Sequence, residues 1–293
     1  MGNRIVTAFV LAAALSSLTT PSAQAQIEAA APPMQRWSFW GPFGQYDPQQ
    51  LQRGFKIYRE VCSTCHSLKL LSFRNLADPG GPGFTEAQAG AVASGFQVTD
   101  GPNDQGQMFK RPGKVADYFP PPFANDQAAR AALGGGLPPD MSTLAKARTY
   151  DEGFPRFLID AFTMYQEQGP DYIHALVNGY TKAPAGFALP PGTYYNEYFP
   201  GHALKMPPPL RDGQVKYTDG TPETLDQYGR DVSAFLMWVA EPKLNERKRL
   251  GFQVLIYLTA LTLLLYFTKK KVWHEVEAHP ELQQPRPAPE YQR

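Results

Sequence analysis

Cysteine is nearly absent from this chain: two occur in 293 residues, Cys62 and Cys65. That scarcity excludes a disulfide framework and leaves too few thiolates for a four-cysteine zinc site. A bridge between two such close neighbours would be a strained small ring. Charge of one sign is lacking as well. The formal net charge is +1, and between Gln26 and Asn245 there are 19 Lys and Arg against 22 Asp and Glu. Such a balance offers no basic field for nucleic acid. No alternating strand pattern of useful length and no internal repeat are present, so the chain reads as mainly α.

What is present begins with the cysteines themselves. Cys62-Ser63-Thr64-Cys65-His66 has the C-x-x-C-H spacing of a c-type haem attachment site. Two thiols at that spacing can each form a thioether to one porphyrin, and the adjoining imidazole can reach the iron as proximal ligand. Asp47 and Pro48 form an N-cap and first-turn pair, and Leu51, Phe55, Tyr58 and Cys62 recur at helical spacing. A helix over Pro48–Cys65 would put Cys62, Cys65 and His66 on one face. A zinc half-site would need four ligands, and the chain has no other cysteine. A thioredoxin-like redox pair would need a βαβ setting, whereas the flanks here are helical and loop-rich.

The two ends carry targeting information. Asn3 and Arg4, the apolar stretch from Ile5 to Leu18 and the small-x-small site Ala23-Gln24-Ala25 make residues 1–25 a cleavable secretory signal. Export agrees with haem attachment, which takes place outside the cytoplasm. Leu250 to Thr268 is a 19-residue apolar run whose one strongly polar member is Gln253. As a helix it would extend about 28 Å, close to the hydrocarbon thickness of a bilayer. Arg247, Lys248 and Arg249 precede it, Lys269, Lys270 and Lys271 follow it, and Trp273 suits an interface. Cations on both sides leave orientation to the signal. The expected order is therefore an exported, periplasmic domain over 26–249, a transmembrane helix over 250–268 and a short cytoplasmic tail over 269–293.

The body is long enough for one domain. Prolines and glycines cluster at 78–83, 120–122, 134–139, 190–192 and 207–209, which implies long loops between short elements. Helices are expected over Pro48–Cys65, Asn125–Leu133, Phe154–Tyr165, Asp171–Asn178 and Pro222–Ala240, the last started by Thr221 and Pro222. Gly54 lies inside the first of these at a cost in helix stability. A close crossing with the last soluble helix would explain it. No Lys or Arg occurs from Pro79 to Gln107, a stretch holding Glu86, Asp100 and Asp104. A mildly acidic face suits a small basic partner such as a soluble cytochrome c, though an ordinary solvated surface accounts for those three equally well.

A six-coordinate electron-transfer haem needs a second axial ligand, and a Met thioether opposite His raises the potential. Met34, Met108, Met141, Met164, Met206 and Met237 are the candidates in the mature chain. Met237 falls in a helical stripe and suits core packing. Met206 leads, because Pro207-Pro208-Pro209 stiffen its loop and can hold a side chain over a haem face. His202 and His174 are its rivals.

Several stretches together resemble the cytochrome c1 family. They are the haem motif, Asp100-Gly101-Pro102-Asn103, the run from Met108 to Lys114, Asp117-Tyr118-Phe119-Pro120 and the run from Leu137 to Ser142. Tyr198-Phe199-Pro200-Gly201-His202, the Met206–Pro209 loop and the run from Asp219 through the C-terminal apolar segment belong to the same resemblance. It covers essentially the whole mature chain. It implies a cytochrome c-like haem domain with one transmembrane helix and a single covalent haem c. Met206 would be the distal ligand, and Arg148 would lie near a haem propionate. The implied role is an electron-transfer subunit of a dimeric quinol–cytochrome c oxidoreductase in a bacterial plasma membrane. Cytochrome b and a Rieske iron–sulfur protein would be its partners, and cytochrome c its acceptor. A free-standing membrane-anchored shuttle and a haem enzyme with an open iron, such as a peroxidase, are the competing readings. The segment from Thr149 to Pro170 is longer than in shorter family members, with docking and helix packing both open as roles. The extra cysteine pair of some bacterial relatives is missing.

Overall fold

The computed structural model describes residues 29–150, 153–163 and 165–278; the signal expected over 1–25, Met164 and the residues beyond 278 lie outside the described residues. Helix α1 (Pro48–Glu60) starts as its sequence suggests: Asp47 is extended and its carboxylate accepts from the Gln49 amide, with Pro48 in the first turn. It does not continue to Cys65. Val61 leaves the helical region (φ −123°, ψ −62°), and Cys62–Thr64 form a single 3₁₀ turn. A second 3₁₀ turn spans Phe73–Ala77 behind a Ser72/Asn75 capping box.

Helix α2 (Glu86–Ser94) was not expected, because its run of small residues carries almost no apolar stripe. Thr85 and Gln88 cap it reciprocally, and Ala89, Val92 and Ala93 are buried. Two short strands follow, β1 (Gln97–Asp100) and β2 (Phe109–Pro112), antiparallel with Val98 opposite Arg111. Helices α3 (Asp126–Ala132), α4 (Leu144–Ala147), α5 (Arg156–Thr163) and α6 (Gln168–Asn178) come next. A two-residue pairing of β3 (Tyr194–Tyr195) with β4 (Ala203–Leu204) precedes α7 (Leu225–Ala240). The cap of α7 is Thr224, whose hydroxyl accepts from the Gln227 amide, three residues later than the start expected at Thr221 and Pro222.

Helices α1 and α7 cross at Gly54. A Cβ there would lie 2.1 Å from the Asp231 carbonyl oxygen and 2.5 Å from the Phe235 Cβ, so only glycine permits this approach. Arg53 is one residue away. Its guanidinium pairs with Asp231 at 2.9 Å, a carboxylate fully removed from water that also accepts from Tyr217 and Gln227. Around the crossing, Phe55, Tyr58, Phe73, Phe119, Phe235 and Trp238 are buried and meet at tilted or edge-on angles. Each such aromatic pair contributes about 0.5–1.5 kcal/mol beyond its buried area.

Helix α8 (Leu244–Ala278) is continuous through the apolar run. Its segment Leu244–His274 is long and apolar enough to cross a membrane, and none of its most apolar stretch is buried. Within the segment from Thr149 to Pro170 lies α5, and Phe154, Leu158, Ile159 and Phe162 are exposed. Its far end is tied down. Tyr165 donates to Asp171 at 2.6 Å and to the Gln35 carbonyl, while Trp37 Nε1 and the Gln35 amide also donate to Asp171. This buried carboxylate joins the N-terminal segment to α6.

Candidate haem site

The cysteine motif wraps around one carbonyl. Cys65 N and His66 N both donate to the Cys62 oxygen, at 3.1 and 2.9 Å, so the five residues form a closed turn although the α-helix has ended. The Tyr58 hydroxyl on α1 donates to the His66 oxygen at 3.2 Å and fixes the turn against the helix. Both thiols are free and half-buried. Burial, and secondarily the neighbouring Cys65, pushes the Cys62 thiol up to about 12. Among the described residues no cluster of three or more His, Cys, Asp or Glu could hold a bare metal ion.

His66 is oriented from behind. Its Nδ1 lies 2.9 Å from the Pro139 carbonyl oxygen. A carbonyl can only accept, so the proton sits on Nδ1 and Nε2 keeps its lone pair. Burial lowers the pKa of the ring, against the opposing pull of the Pro139 carbonyl and Asp140, so the imidazole is neutral near pH 7. Asp140 secures the segment carrying that carbonyl. It accepts from Ser67 Oγ at 2.7 Å, Lys69 N at 2.9 Å and Ser142 N at 2.9 Å. Burial works against its charge, but these donors outweigh it and hold the carboxyl below the usual range. Two free thiols, a neutral imidazole with a free Nε2 and a backing carbonyl are the donor set that a covalently attached haem uses.

The site's sequence resembles one family throughout. Residues 37–276 match the Cytochrome C1 family. The chain belongs to the cytochrome c1 family. It is 56% identical over 270 residues to the "Cytochrome b/c1" protein of Bradyrhizobium diazoefficiens, covering 92% of this chain and 39% of that protein. It is 47% identical to cytochrome c1 of Blastochloris viridis, covering 94% of this chain and 97% of the relative. Cytochrome c1 of Rhodospirillum rubrum is 44% identical over 259 residues, covering 83% and 88%. The chain thus spans about two fifths of the Bradyrhizobium protein and nearly all of the Blastochloris one. The family carries covalently attached haem c, and Cys62, Cys65 and His66 stand in its attachment pattern.

The methionines are distributed differently from one another. Met237 is buried in the α7 core, as its stripe suggested, and Met141 is buried beside Asp140. Met108 is exposed, Met34 accepts from Arg156 Nη2 at the surface, and Met164 lies outside the described residues. Met206 is half-buried in its proline loop. The loop is held by Tyr180, whose hydroxyl donates to the Met206 oxygen at 3.0 Å, and by Lys205, whose Nζ donates to the Gly134 oxygen at 3.1 Å. Residues 134–140 therefore touch the Met206 loop at one end and His66 at the other.

Each rival histidine has one ring nitrogen paired, while His174 Nδ1 and His202 Nε2 are buried without a hydrogen-bond partner. His174 Nε2 pairs with Asp226 at 2.9 Å, and His202 Nδ1 with the Asn196 oxygen at 2.9 Å. Arg148 is exposed at the C-cap of α4. Burial raises the Tyr172 hydroxyl's pKa, and the Arg148 charge opposes that rise. Tyr58, Ser67, Pro139, Asp140, Tyr180 and Lys205 support the site but were not singled out as site residues from sequence. Their roles depend on contacts 8 to 73 residues apart. Of the acidic stretch, Asp100 is paired with Arg111 and Asp104 is exposed.

Proposed function

We propose that this chain is the haem-bearing electron-transfer subunit of a quinol–cytochrome c oxidoreductase. The observation that carries this reading is His66, its Nδ1 held by Pro139 and its Nε2 left free, beside two unbridged thiols in a member of the cytochrome c1 family. Haem c would supply a one-electron carrier between a Rieske iron–sulfur protein and cytochrome c. Cys62 and Cys65 would tether the ring, His66 and Met206 would hold the iron, and Arg148 would neutralise a propionate through a charge-assisted pair. With two protein ligands on the iron, the subunit would make and break no substrate bonds.

The haem domain over 26–249 faces the periplasm after loss of residues 1–25. The stretch 250–268 of α8 anchors it, and residues 269–293 stay in the cytoplasm. Cytochrome b is the membrane partner within a dimeric complex, a reading supported by the b/c1 name of the Bradyrhizobium relative. Solubilisation in mild detergent followed by isolation of the haem-stained assembly tests the proposal. Co-isolation with a cytochrome b and a Rieske protein is expected; a lone membrane-anchored haem protein would instead mark a free-standing shuttle.

A further inference from the structure

The turn formed by Gly41, Pro42 and Phe43 lies against the beginning of the membrane helix. Gly41 adopts φ +72°, and a Cβ on Gly44 would lie 2.0 Å from the Trp40 oxygen, so the turn is tight. The Gln45 amide closes it on the Ser38 oxygen at 3.0 Å. Two residues of α8 grip it. Lys248 Nζ donates to the Phe39 oxygen, and also to the Gly44 oxygen at 3.5 Å. Phe252, four residues on and on the same helix face, meets the Phe43 ring edge-on with centroids 5.4 Å apart.

Depth follows from the helix rise. Phe252 is the third residue of the apolar run from Leu250, about 3 Å past its start. Phe43 stands beside it and is 71% exposed. Trp40, 41% exposed, packs its edge on Tyr165. Leaving such a ring in water forgoes the gain of burying it, yet this turn is built rigidly around the exposure. Whatever surrounds the first turn of the apolar run must also surround Phe43. Lys248 and the exposed Arg249 lie at that level, where headgroup phosphates favour cations.

We infer that the turn over 41–43 is a second membrane contact: Phe43 inserts at the boundary between phospholipid headgroups and acyl chains, with Trp40 beside it. The single helix is thereby fixed in rotation relative to the haem domain. The inference rests on α8 spanning the bilayer, and a label on α8 tests that separately.

Haem attachment consumes Cys62 and Cys65, so a third cysteine can be labelled selectively. Phe43→Cys and Pro42→Cys would each be introduced into the haem-loaded chain within its detergent-isolated assembly, labelled with bimane and reconstituted into phosphatidylcholine vesicles. Phe252→Cys serves as the membrane reference and Asp104→Cys as the aqueous one. Quenching by phosphatidylcholine carrying a doxyl group near the top of its acyl chain reports lipid; quenching by iodide reports water. The label at position 43 or 42 is expected to match position 252, with strong lipid quenching and several-fold weaker iodide quenching than position 104. Iodide quenching equal to that at position 104 would overturn the inference, as would protection from both quenchers, which would mark a protein partner. Failure of lipid quenching at position 252 would overturn the spanning helix itself.

Discussion

The Nδ1 of His66 and the carbonyl oxygen of Pro139 lie 2.9 Å apart, across 73 residues of sequence. One contact sets the tautomer, the ring plane and the basicity of Nε2, the nitrogen proposed to face the iron. Pro139 also ends the segment whose glycines meet Lys205, immediately before Met206. The two proposed axial ligands are therefore braced by one stretch of chain.

Met206→Leu should abolish the sulfur-to-iron absorption band near the red edge and lower the midpoint potential, because a thioether favours the reduced iron. Tyr180→Phe removes only the hydrogen bond to the Met206 carbonyl, so the band should persist but disappear at a lower temperature. Optical spectra during a thermal ramp check both; an unchanged Met206→Leu spectrum would remove Met206 from the ligand set.

Arg148→Gln should shift the midpoint potential downward, on the order of tens of millivolts, since a cation near the propionates opposes oxidation. Arg148→Lys should restore much of the shift. A redox titration in which neither variant differs from wild type would leave Arg148 a surface residue.

Gly54→Ala should destabilise the domain by about 3 kcal/mol, the upper end for overpacking, because the added methyl meets backbone rather than a movable side chain. Urea denaturation of the purified haem protein measures it. A change below about 0.5 kcal/mol would show that α1 and α7 can separate at the crossing without loss.

The β1–β2 hairpin should loosen in acid. Hydrogen bonds from the Arg111 side chain first, and from the Lys114 amide, hold the Asp117 carboxyl at about 2, and Arg111 likewise lowers Asp100. A depressed carboxylate stabilises the fold above its unfolded value of about 3.9 and loses that contribution as pH falls through the folded value. Amide protection at Val98 and Arg111 should therefore fall between about pH 4 and pH 2. Protection constant down to pH 2 would contradict it.

Much of the fold was legible because its signals are local. Asp47-Pro48 marked the start of α1, the stripe Leu225, Tyr228, Val232, Phe235 and Val239 marked α7, and Gly54 anticipated their crossing. The end of α1 was not legible. Nothing local stops the helix before Cys62; the 3₁₀ turn is held by Tyr58 reaching the His66 carbonyl and by Pro139 reaching its ring. Helix α2 was missed because Thr85 and Gln88 cap a run too rich in small residues to show a period.

The sequence by itself determined the cofactor chemistry and the family, since C-x-x-C-H spacing, a 19-residue apolar run and the motifs between them are properties of neighbours along the chain. Tertiary structure alone decided what stands behind those groups: the carbonyl that orients His66, the tyrosine that holds the Met206 loop and the lysine that clasps the turn at Phe43. The physical reason is that hydrogen bonds and ring contacts act over a few ångströms in space. Partners 26 to 209 residues apart acquire that proximity only when the chain folds.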